Sequence, residues 1–180
     1  MSADLEFDEY VQRADAAIRR GDWESAASQF AQAINHADLP KNGAVRSAMH
    51  LGYGRAIGVM CHYDEAEKYL LMAKEIADQA GRTTFPVLYE LAAISVAQKK
   101  YAAAAGYYTQ LMPIIEREAR AKNAPMVIAD ANEKFAVALA ATGKADEAES
   151  RRREAGRIRA TGTKAPPGAI TPYGTQCPGS

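Results

Sequence analysis

The chain has 180 residues, with 22 basic and 22 acidic side chains and therefore a formal net charge of zero. A chain of this length forms one domain with a substantial core. Its zero net charge excludes a global basic field that would attract nucleic acid or an anionic membrane surface. Ala, Leu, Glu, Lys and Arg are interspersed along most of the sequence, and β-branched residues are few and scattered. Because these unbranched residues lose little entropy in a helix, the composition predicts an all-α protein.

The N-terminal sequence and the cysteines indicate a compartment. The first ten residues, MSADLEFDEY, are acidic and lack the basic and apolar regions of a secretory signal. No apolar run approaches the roughly 20 residues that a membrane-spanning helix needs. Cys61 and Cys177 allow a disulfide, but nothing in the sequence supports one, so we expect reduced thiols. These features predict a cytoplasmic protein that does not contact a membrane.

Apolar residues recur at three- and four-residue steps in eight segments, which places them on one face of a helix in each segment. Gly21 is expected to end the first helix and Asp22 to cap the second. Gly81 suits the position just past the end of the fourth. The predicted helices are, in chain order, 2 or 4 to 20, 23–37, 41–61, 63–80, 85–99, 101–121, 125–142 and 145–160.

Glycine and proline occur inside two of these helices. Gly52, Gly54 and Gly58 lie within the third, where each costs about 1 kcal/mol relative to Ala. We interpret them as positions where a neighbouring backbone comes close; the alternative is that they are tolerated without such a role. Pro113 is expected to kink the sixth helix about one turn upstream, at the carbonyl of Thr109.

One sequence unit recurs four times, as a leading residue followed by a stripe of small and large apolar side chains. The copies begin at Trp23, Tyr63, Tyr101 and Ala145, at offsets of 40, 38 and 44 residues. Each follows a second helical segment, so the unit is a helix pair. The positions that match between copies are Ala14, Gly21, Asp22, Trp23, Ala26, Phe30 and Ala33 in the first; Tyr53, Gly54, Ile57, Tyr63, Ala66, Leu70 and Ala73 in the second; Leu88, Leu91, Ala92, Tyr101, Ala104 and Tyr108 in the third; and Phe135, Ala136, Leu139, Gly143, Lys144, Ala148 and Ala155 in the fourth.

This pattern resembles the tetratricopeptide repeat, in which large and small residues alternate across two antiparallel helices. The spacing exceeds the usual period of about 34 residues and is similar to the longer repeats of the kinesin light chain type. The resemblance implies an all-α, right-handed α-solenoid of about four antiparallel helix pairs over residues 1–160. Arg13 and Arg152 replace large apolar residues in the first and last copies, as expected for the polar outer faces of terminal repeats. Residues 161–180 are rich in Pro, Gly and Thr and form a predicted tail, ordered only where something holds it.

The resemblance also implies a binding surface, because the first helix of each pair in this family lines a concave groove for a peptide or helix of a partner protein. Val11 and Asp15 stand where family members that clamp a carboxylate have Lys and Asn. We therefore expect a partner segment with apolar anchors and some positive charge. The alternative is that several of the groove side chains only form the solvated surface of an ordinary helix. The groove positions are Asp8, Val11, Asp15, Ile18, Leu51, Arg55, Tyr89, Ala93, Val96, Asp130, Glu133 and Val137.

Basic residues are concentrated near the end of the last helix, where cations interact favourably with the helix macrodipole. We interpret the cluster as a solvated helix cap, with a patch for anions as the alternative. No aromatic residue is interleaved to stack on bases, so the cluster does not favour nucleic acid as a partner. The cluster comprises Arg151, Arg152, Arg153, Arg157, Arg159 and Lys164, and the anion patch would use the first four of these.

Catalytic motifs are not found in the sequence. His36, His50 and His62 do not have the spacing of a metal site. No phosphate-binding loop, nucleophile elbow or zinc-protease motif occurs, so we expect no enzyme, metal or cofactor. The predicted function is protein binding as an adaptor, scaffold or chaperone-like module. Two alternatives are a regulatory sensor of small peptides or nucleotides and a homo-oligomer in which residues 166–173 of one chain lie in a neighbour's groove.

Overall fold

A computed structural model describes residues 3–36, 42–121, 125–161 and 170–177, and all regular structure among them is helical. Every helix begins and ends within two residues of its predicted first and last residue. The four predicted helix pairs are therefore confirmed. Within these ranges no helix is both long and apolar enough to cross a bilayer. The helices are α1 (Ala3–Arg20), α2 (Trp23–Asn35), α3 (Gly43–Val59), α4 (Tyr63–Gln79), α5 (Phe85–Ala97), α6 (Tyr101–Ala121), α7 (Pro125–Ala141) and α8 (Ala145–Arg159).

One turn geometry follows five of these helices. A residue with positive φ stands just past the helix, its N–H donates to the carbonyl three residues back, and the next N–H donates to the carbonyl five residues back. This is the Schellman arrangement, which satisfies carbonyls that a helix C-terminus leaves without partners. Four of the turns connect the two helices of a pair, so the pairs share one connection. The residues with positive φ are Gly21, Cys61, Gly81, Lys99 and Gly143.

The described chain divides into two compact units. Unit 1 contains the residues up to Val87 and those from Pro172 onward, and unit 2 contains Leu88 to Thr171. In unit 1, α2 packs against α1 and α3, and α3 packs against α4. The side chain of Asp22 caps α2 by accepting a hydrogen bond from the Ser25 N–H at 3.1 Å, as predicted. A core cluster in this unit is formed by Phe7, Ala14, Phe30, Ala33 and Met49.

Two glycines of α3 make room for neighbouring helices, although only at Gly54 does a neighbouring backbone atom come close, as predicted. A Cβ atom on Gly52 would lie 2.4 Å from Cζ of Phe30, a residue of α2. A Cβ atom on Gly54 would lie 3.0 Å from Cγ of Leu70 and 3.2 Å from the carbonyl oxygen of Ala66, both in α4. The neighbours that come close are thus mainly side chains, where the sequence predicted backbone.

In unit 2, α7 packs against α6 and α8. The rings of Tyr108 and Phe135 stack between α6 and α7 with centroids 5.4 Å apart. Helix α6 continues through Pro113, which is exposed. Every residue of α5 from Leu88 to Ser95 is buried. Over these residues α5 is therefore covered on every face, unlike an amphipathic surface helix.

A disulfide bond joins Cys61 and Cys177, with Cα atoms 5.5 Å apart. The expectation of two reduced thiols is therefore wrong. We call residues 170–177 the C-terminal strap; its first two residues belong to unit 2 and the others to unit 1. The hydroxyl oxygen of Tyr63 lies 3.1 Å from the sulfur of Cys177. The described part of the predicted tail is thus held by its own chain, while residues 162–169 and 178–180 lie outside the described ranges.

Candidate functional site

The predicted groove residues of α1 combine acidic and aliphatic side chains. Asp8 and Asp15 are exposed, whereas Val11 and Ile18 are half-buried. Both aliphatic side chains pack against the core cluster of unit 1. The helix therefore presents two carboxylates beside aliphatic groups that are only partly covered.

Leu51 and Arg55 of α3 are half-buried, and Leu51 lines an open cavity of about 170 Å³ within unit 1. Ser47 also lines it, but its hydroxyl donates to the carbonyl of Ala73 at 2.8 Å and is not available to a ligand as a donor. Most of the walls are alkyl groups, so the cavity suits an apolar side chain. The remaining lining residues are Ala44, Ala48, Ala77, Arg82, Thr83, Pro86 and Val87.

Tyr89 does not present its ring as the groove prediction required. The residue is only 3% exposed, and its hydroxyl donates to Oδ2 of Asp130 at 2.5 Å. Burial, followed by the nearby Asp130 carboxylate, raises the pKa of Tyr89 well above its ordinary value, so the phenol stays protonated and donates. The predicted exposure of Tyr89 is corrected: this side chain joins α5 to α7. Ala93 is buried as well, and Val96 is half-buried.

Asp130 and Lys134 extend this contact along α7. The ammonium of Lys134 lies 2.9 Å from Oδ2 of Asp130 and 5.7 Å from the centroid of the Tyr89 ring. Both side chains are largely covered, so the ion pair is less screened by solvent than a surface pair. We define Tyr89, Glu90, Asp130 and Lys134 as the α5–α7 polar cluster.

Glu90 is the buried acid of this cluster. It is 4% exposed, and its Oε1 accepts a hydrogen bond from the hydroxyl of Thr171 at 2.9 Å. Thr171 belongs to the C-terminal strap and is itself only 1% exposed. The strap therefore covers the Glu90 carboxylate within unit 2.

Tyr108 adds a phenol to the same region. Its hydroxyl is buried and has no hydrogen-bond partner among the described residues. Burial raises the pKa of Tyr108 well above its ordinary value, and the carboxylates of Asp130 and Glu90 raise it further. An unsatisfied donor of this kind costs about 1–3 kcal/mol.

The predicted groove residues at the far end of α7 remain on the surface. Glu133 is exposed and forms an ion pair with Arg159 of α8. Val137 is 42% exposed. The structure thus brings Tyr89 and Asp130 together but leaves Glu133 and Val137 facing solvent.

The basic cluster of α8 is engaged with its own protein at several points. The guanidinium of Arg151 lies 5.1 Å from the centroid of the Phe135 ring and donates to Oδ1 of Asn132 at 3.3 Å. Arg152 is paired with Glu149 at 3.6 Å. These contacts favour the interpretation of the cluster as a helix cap over that of an anion patch.

The remaining arginines of the cluster differ in their contacts. Arg157 donates two hydrogen bonds to Glu154, at 2.8 and 2.7 Å. Arg153 is exposed, and Lys164 lies outside the described residues. The described ranges contain no group of three or more His, Cys, Asp or Glu residues that could hold a metal ion.

A solved structure has a similar fold. The crystal structure of BtubC (BKLC) from P. vanneervenii matches 92% of this chain and 68% of its own, with a TM-score of 0.77 and 17% sequence identity. The fold is a tetratricopeptide-like helical repeat. The predicted all-α solenoid of helix pairs is thereby confirmed. No protein-family model and no curated protein sequence matches this repeat chain.

Several residues of interest were missed from the sequence, among them Glu90, Leu71 and Met72. Glu90 is the one charged residue in the helix FPVLYELAAISVA, and that isolation was the available signal. Leu71 and Met72 of α4 are 43% and 38% exposed. They directly follow Leu70, which lies on the buried face of α4. Consecutive apolar residues cannot all lie on one helix face, and this was the available signal that Leu71 and Met72 are exposed.

Proposed function

We propose that this tetratricopeptide-like chain is a non-catalytic protein-interaction module that acts as an adaptor, scaffold or chaperone-like protein. It binds a peptide or helix of a partner through the first helices of its pairs. The repeat fold supports a protein partner, since stacked helix pairs form extended binding surfaces. The function requires no cofactor or metal.

The observation that carries this proposal is the combination of Leu51 and the acidic face of α1 in unit 1. Leu51 borders an apolar cavity of about 170 Å³, large enough to receive one aliphatic side chain. Asp8 and Asp15 are exposed on the neighbouring first helix. An apolar pocket on α3 and exposed carboxylates on α1 together fit a segment that has an aliphatic anchor and, elsewhere along its length, Lys or Arg.

A displayed library of random 15-residue peptides tests the proposal. We expect the selected peptides to carry an aliphatic residue and, elsewhere along the peptide, Lys or Arg, with binding that weakens as salt is raised. Leu51→Ser should abolish their binding, whereas Leu71→Ser removes an exposed leucine of α4 and should leave it unchanged. Equal binding of the selected peptides to both variants would contradict the proposed surface.

The alternatives receive less support from the contacts. A homo-oligomer that inserts its tail into a neighbour would have to break the bond that Thr171 makes with Glu90 of the same chain.

A cytoplasmic location stays a prediction, and the Cys61–Cys177 disulfide favours an oxidising compartment, because such bonds are rare in the reducing cytosol. Thiol labelling of the protein isolated from its host under denaturing conditions distinguishes the two.

A further inference from the structure

We propose that α4 carries a second interaction surface, and that its occupant is α4 of a second copy of this chain in antiparallel orientation. The surface is formed by Lys68, Leu71, Met72 and Glu75, which we call the α4 stripe. It lies on the second helix of a pair, so it is separate from the groove of the proposed function, which uses the first helices. Different variants test the two surfaces, and either can hold without the other.

The first argument is the apolar centre of the α4 stripe. Leu71 and Met72 are 43% and 38% exposed, and Val137 is the other large hydrophobic side chain exposed to this degree among the described residues. Single exposed apolar side chains are common on protein surfaces, whereas two that adjoin form a patch. The helix already buries its opposite face, which consists of its alanines and Leu70. Leu71 and Met72 are therefore not needed to attach α4 to its own chain.

The second argument is a surface recess of about 460 Å³ around these two side chains. A single helix provides one wall of such a recess, and a second helix packed alongside would provide the other. A methionine at the centre suits this role, because its flexible side chain adapts to irregular gaps. The described residues that line the recess all belong to α4, and they are Asp64, Glu67, Lys68, Leu71, Met72 and Glu75.

The third argument is the spacing of the α4 stripe. Its four residues stand at i, i+3, i+4 and i+7, which places them on one face of the helix, and all four are exposed. In a symmetric antiparallel pair, a two-fold axis passes between Leu71 and Met72. Lys68 lies as far before this axis as Glu75 lies after it. Each Lys68 therefore faces Glu75 of the other copy.

The charges of the α4 stripe are thus self-complementary, as a two-fold interface between identical surfaces requires. Glu75 accepts a hydrogen bond from the Gln79 amide at 3.1 Å, and a carboxylate has room for a further donor. The other acids of the recess do not oppose acids, since Asp64 comes level with Gln79 of the second copy and Glu67 lies beside the stripe. In a parallel pair, by contrast, Lys68 would face Lys68 and Glu75 would face Glu75.

The size of the contact determines its expected strength. One helix of 17 residues from each copy makes a small interface, and interfaces below about 1,200 Å² belong to weak or transient complexes. We therefore expect an equilibrium between monomer and dimer at micromolar concentrations. Apolar burial at Leu71 and Met72 should supply most of the affinity, while the two Lys–Glu pairs set the orientation.

Sedimentation equilibrium of the full-length oxidised chain, from about 1 to about 500 μM, measures the association. We expect the mass to rise with concentration towards that of a dimer. Leu71→Ser should raise the dissociation constant at least about tenfold, because both copies lose the side chain. Val137→Ser removes a comparably exposed side chain of α7 and should leave the association unchanged. A monomer at every concentration, or equal association of the two variants, would overturn the proposal.

Reversal of the charges tests the orientation. Lys68→Glu makes both charged positions acidic and Glu75→Lys makes both basic, so each variant alone should associate at least about tenfold more weakly than the natural protein. An equimolar mixture of the two should associate as strongly as the natural protein, because every acidic position then faces a basic one. In the control mixture Glu116→Lys replaces Glu75→Lys. It reverses an exposed acid of α6 with the same change in net charge, and this mixture should stay weakly associated.

Other modes of association give different results. In a parallel pair the natural protein already has like charges opposed, so neither single variant would be weaker than it. A dimer that inserts its tail into a neighbour's groove would not respond to these charges at all. A mixture that stays monomeric, with both variants folded by circular dichroism, would overturn the pairing of α4 with α4. Leu51→Ser should leave the association intact while it abolishes binding of the library peptides, so the two proposals fail separately.

Discussion

The ring of Phe30 occupies the space in which a side chain of Gly52 would begin. A Cβ atom on Gly52 would lie 2.4 Å from Cζ of Phe30 and 2.5 Å from Cε1, closer than non-bonded carbon atoms approach. Phe30 is only 4% exposed, so the ring is surrounded by other core atoms. The absence of a side chain at Gly52 is thus required for the packing of α2 against α3.

Gly52→Ala is therefore expected to destabilise the protein even though alanine favours a helix. Overpacking of a core costs about 1–3 kcal/mol, which exceeds the gain of about 1 kcal/mol in helix propensity. Trp23 is the only tryptophan, and it is buried in unit 1, so its fluorescence during urea unfolding measures the loss.

The control is Gly106→Ala, because a Cβ atom there would meet nothing within 4 Å. This variant should gain about 0.5–1 kcal/mol, measured by circular dichroism. Phe30→Leu should recover part of the loss in Gly52→Ala. If both alanine variants were stabilised, the close contact at Gly52 would not limit the packing.

The turns that connect the two helices of a pair predict two substitutions with opposite effects on stability. Lys99 and Gly143 occupy equivalent positions in two such turns, with φ of 60° and 83°. A left-handed backbone costs a side-chain-bearing residue about 1–2 kcal/mol relative to glycine. Lys99→Gly should raise the free energy of unfolding by about 1 kcal/mol, and Gly143→Ala should lower it by a similar amount. Urea unfolding followed by circular dichroism measures both, and shifts of the same sign would contradict the explanation.

Local features of the fold could be predicted from the sequence because they depend on neighbours in the chain. The recurrence of Ala66, Leu70 and Ala73 at helical spacing identified the buried face of α4, and all three are fully buried. Gly21 and Asp22 marked the end of one helix and the start of the next, since their conformational and hydrogen-bonding preferences act within a few residues.

The candidate site could not be predicted in the same way, because its contacts join distant positions. Thr171 and Glu90 are 81 residues apart, and the disulfide spans 116 residues. Helical periodicity identifies the apolar face of a helix, but it does not show which other segment covers the opposite face. Tyr89 was expected on a groove surface from its position in the family resemblance, whereas it is 3% exposed and bonds Asp130 of α7.

The arginines of α8 allow the anion-patch alternative to be tested. Arg151 packs on Phe135 and bonds Asn132, whereas Arg153 is exposed. Arg151→Ala is expected to cost about 1 kcal/mol of stability, and Arg153→Ala less than about 0.5 kcal/mol. Neither should change the binding of inorganic phosphate or heparin, measured by calorimetry. A loss of anion binding in Arg153→Ala with unchanged stability would instead support a patch.

The bond between Tyr89 and Asp130 predicts how stability depends on pH. Tyr89→Phe removes a donor to a carboxylate and should lower stability at pH 7 by about 1.5–3 kcal/mol. The pKa of Tyr89 is raised in the folded protein, first by burial and then by Asp130. The folded chain therefore retains a proton that the unfolded chain loses above about pH 10, so the contribution of Tyr89 is complete below that pH and declines above it.

The difference in stability between the natural protein and Tyr89→Phe should hence be constant from pH 7 to 9. Above pH 10 it should narrow by up to about 1.4 kcal/mol per pH unit, since one proton is involved. Groups that ionise equally in both proteins cancel in this difference, including Tyr108, which is itself buried. Urea unfolding at pH 7, 9, 10 and 10.5 measures it. A difference that stayed constant up to pH 10.5 would show that Tyr89 ionises in the folded protein as readily as in the unfolded chain, and its enclosure between α5 and α7 would then be wrong.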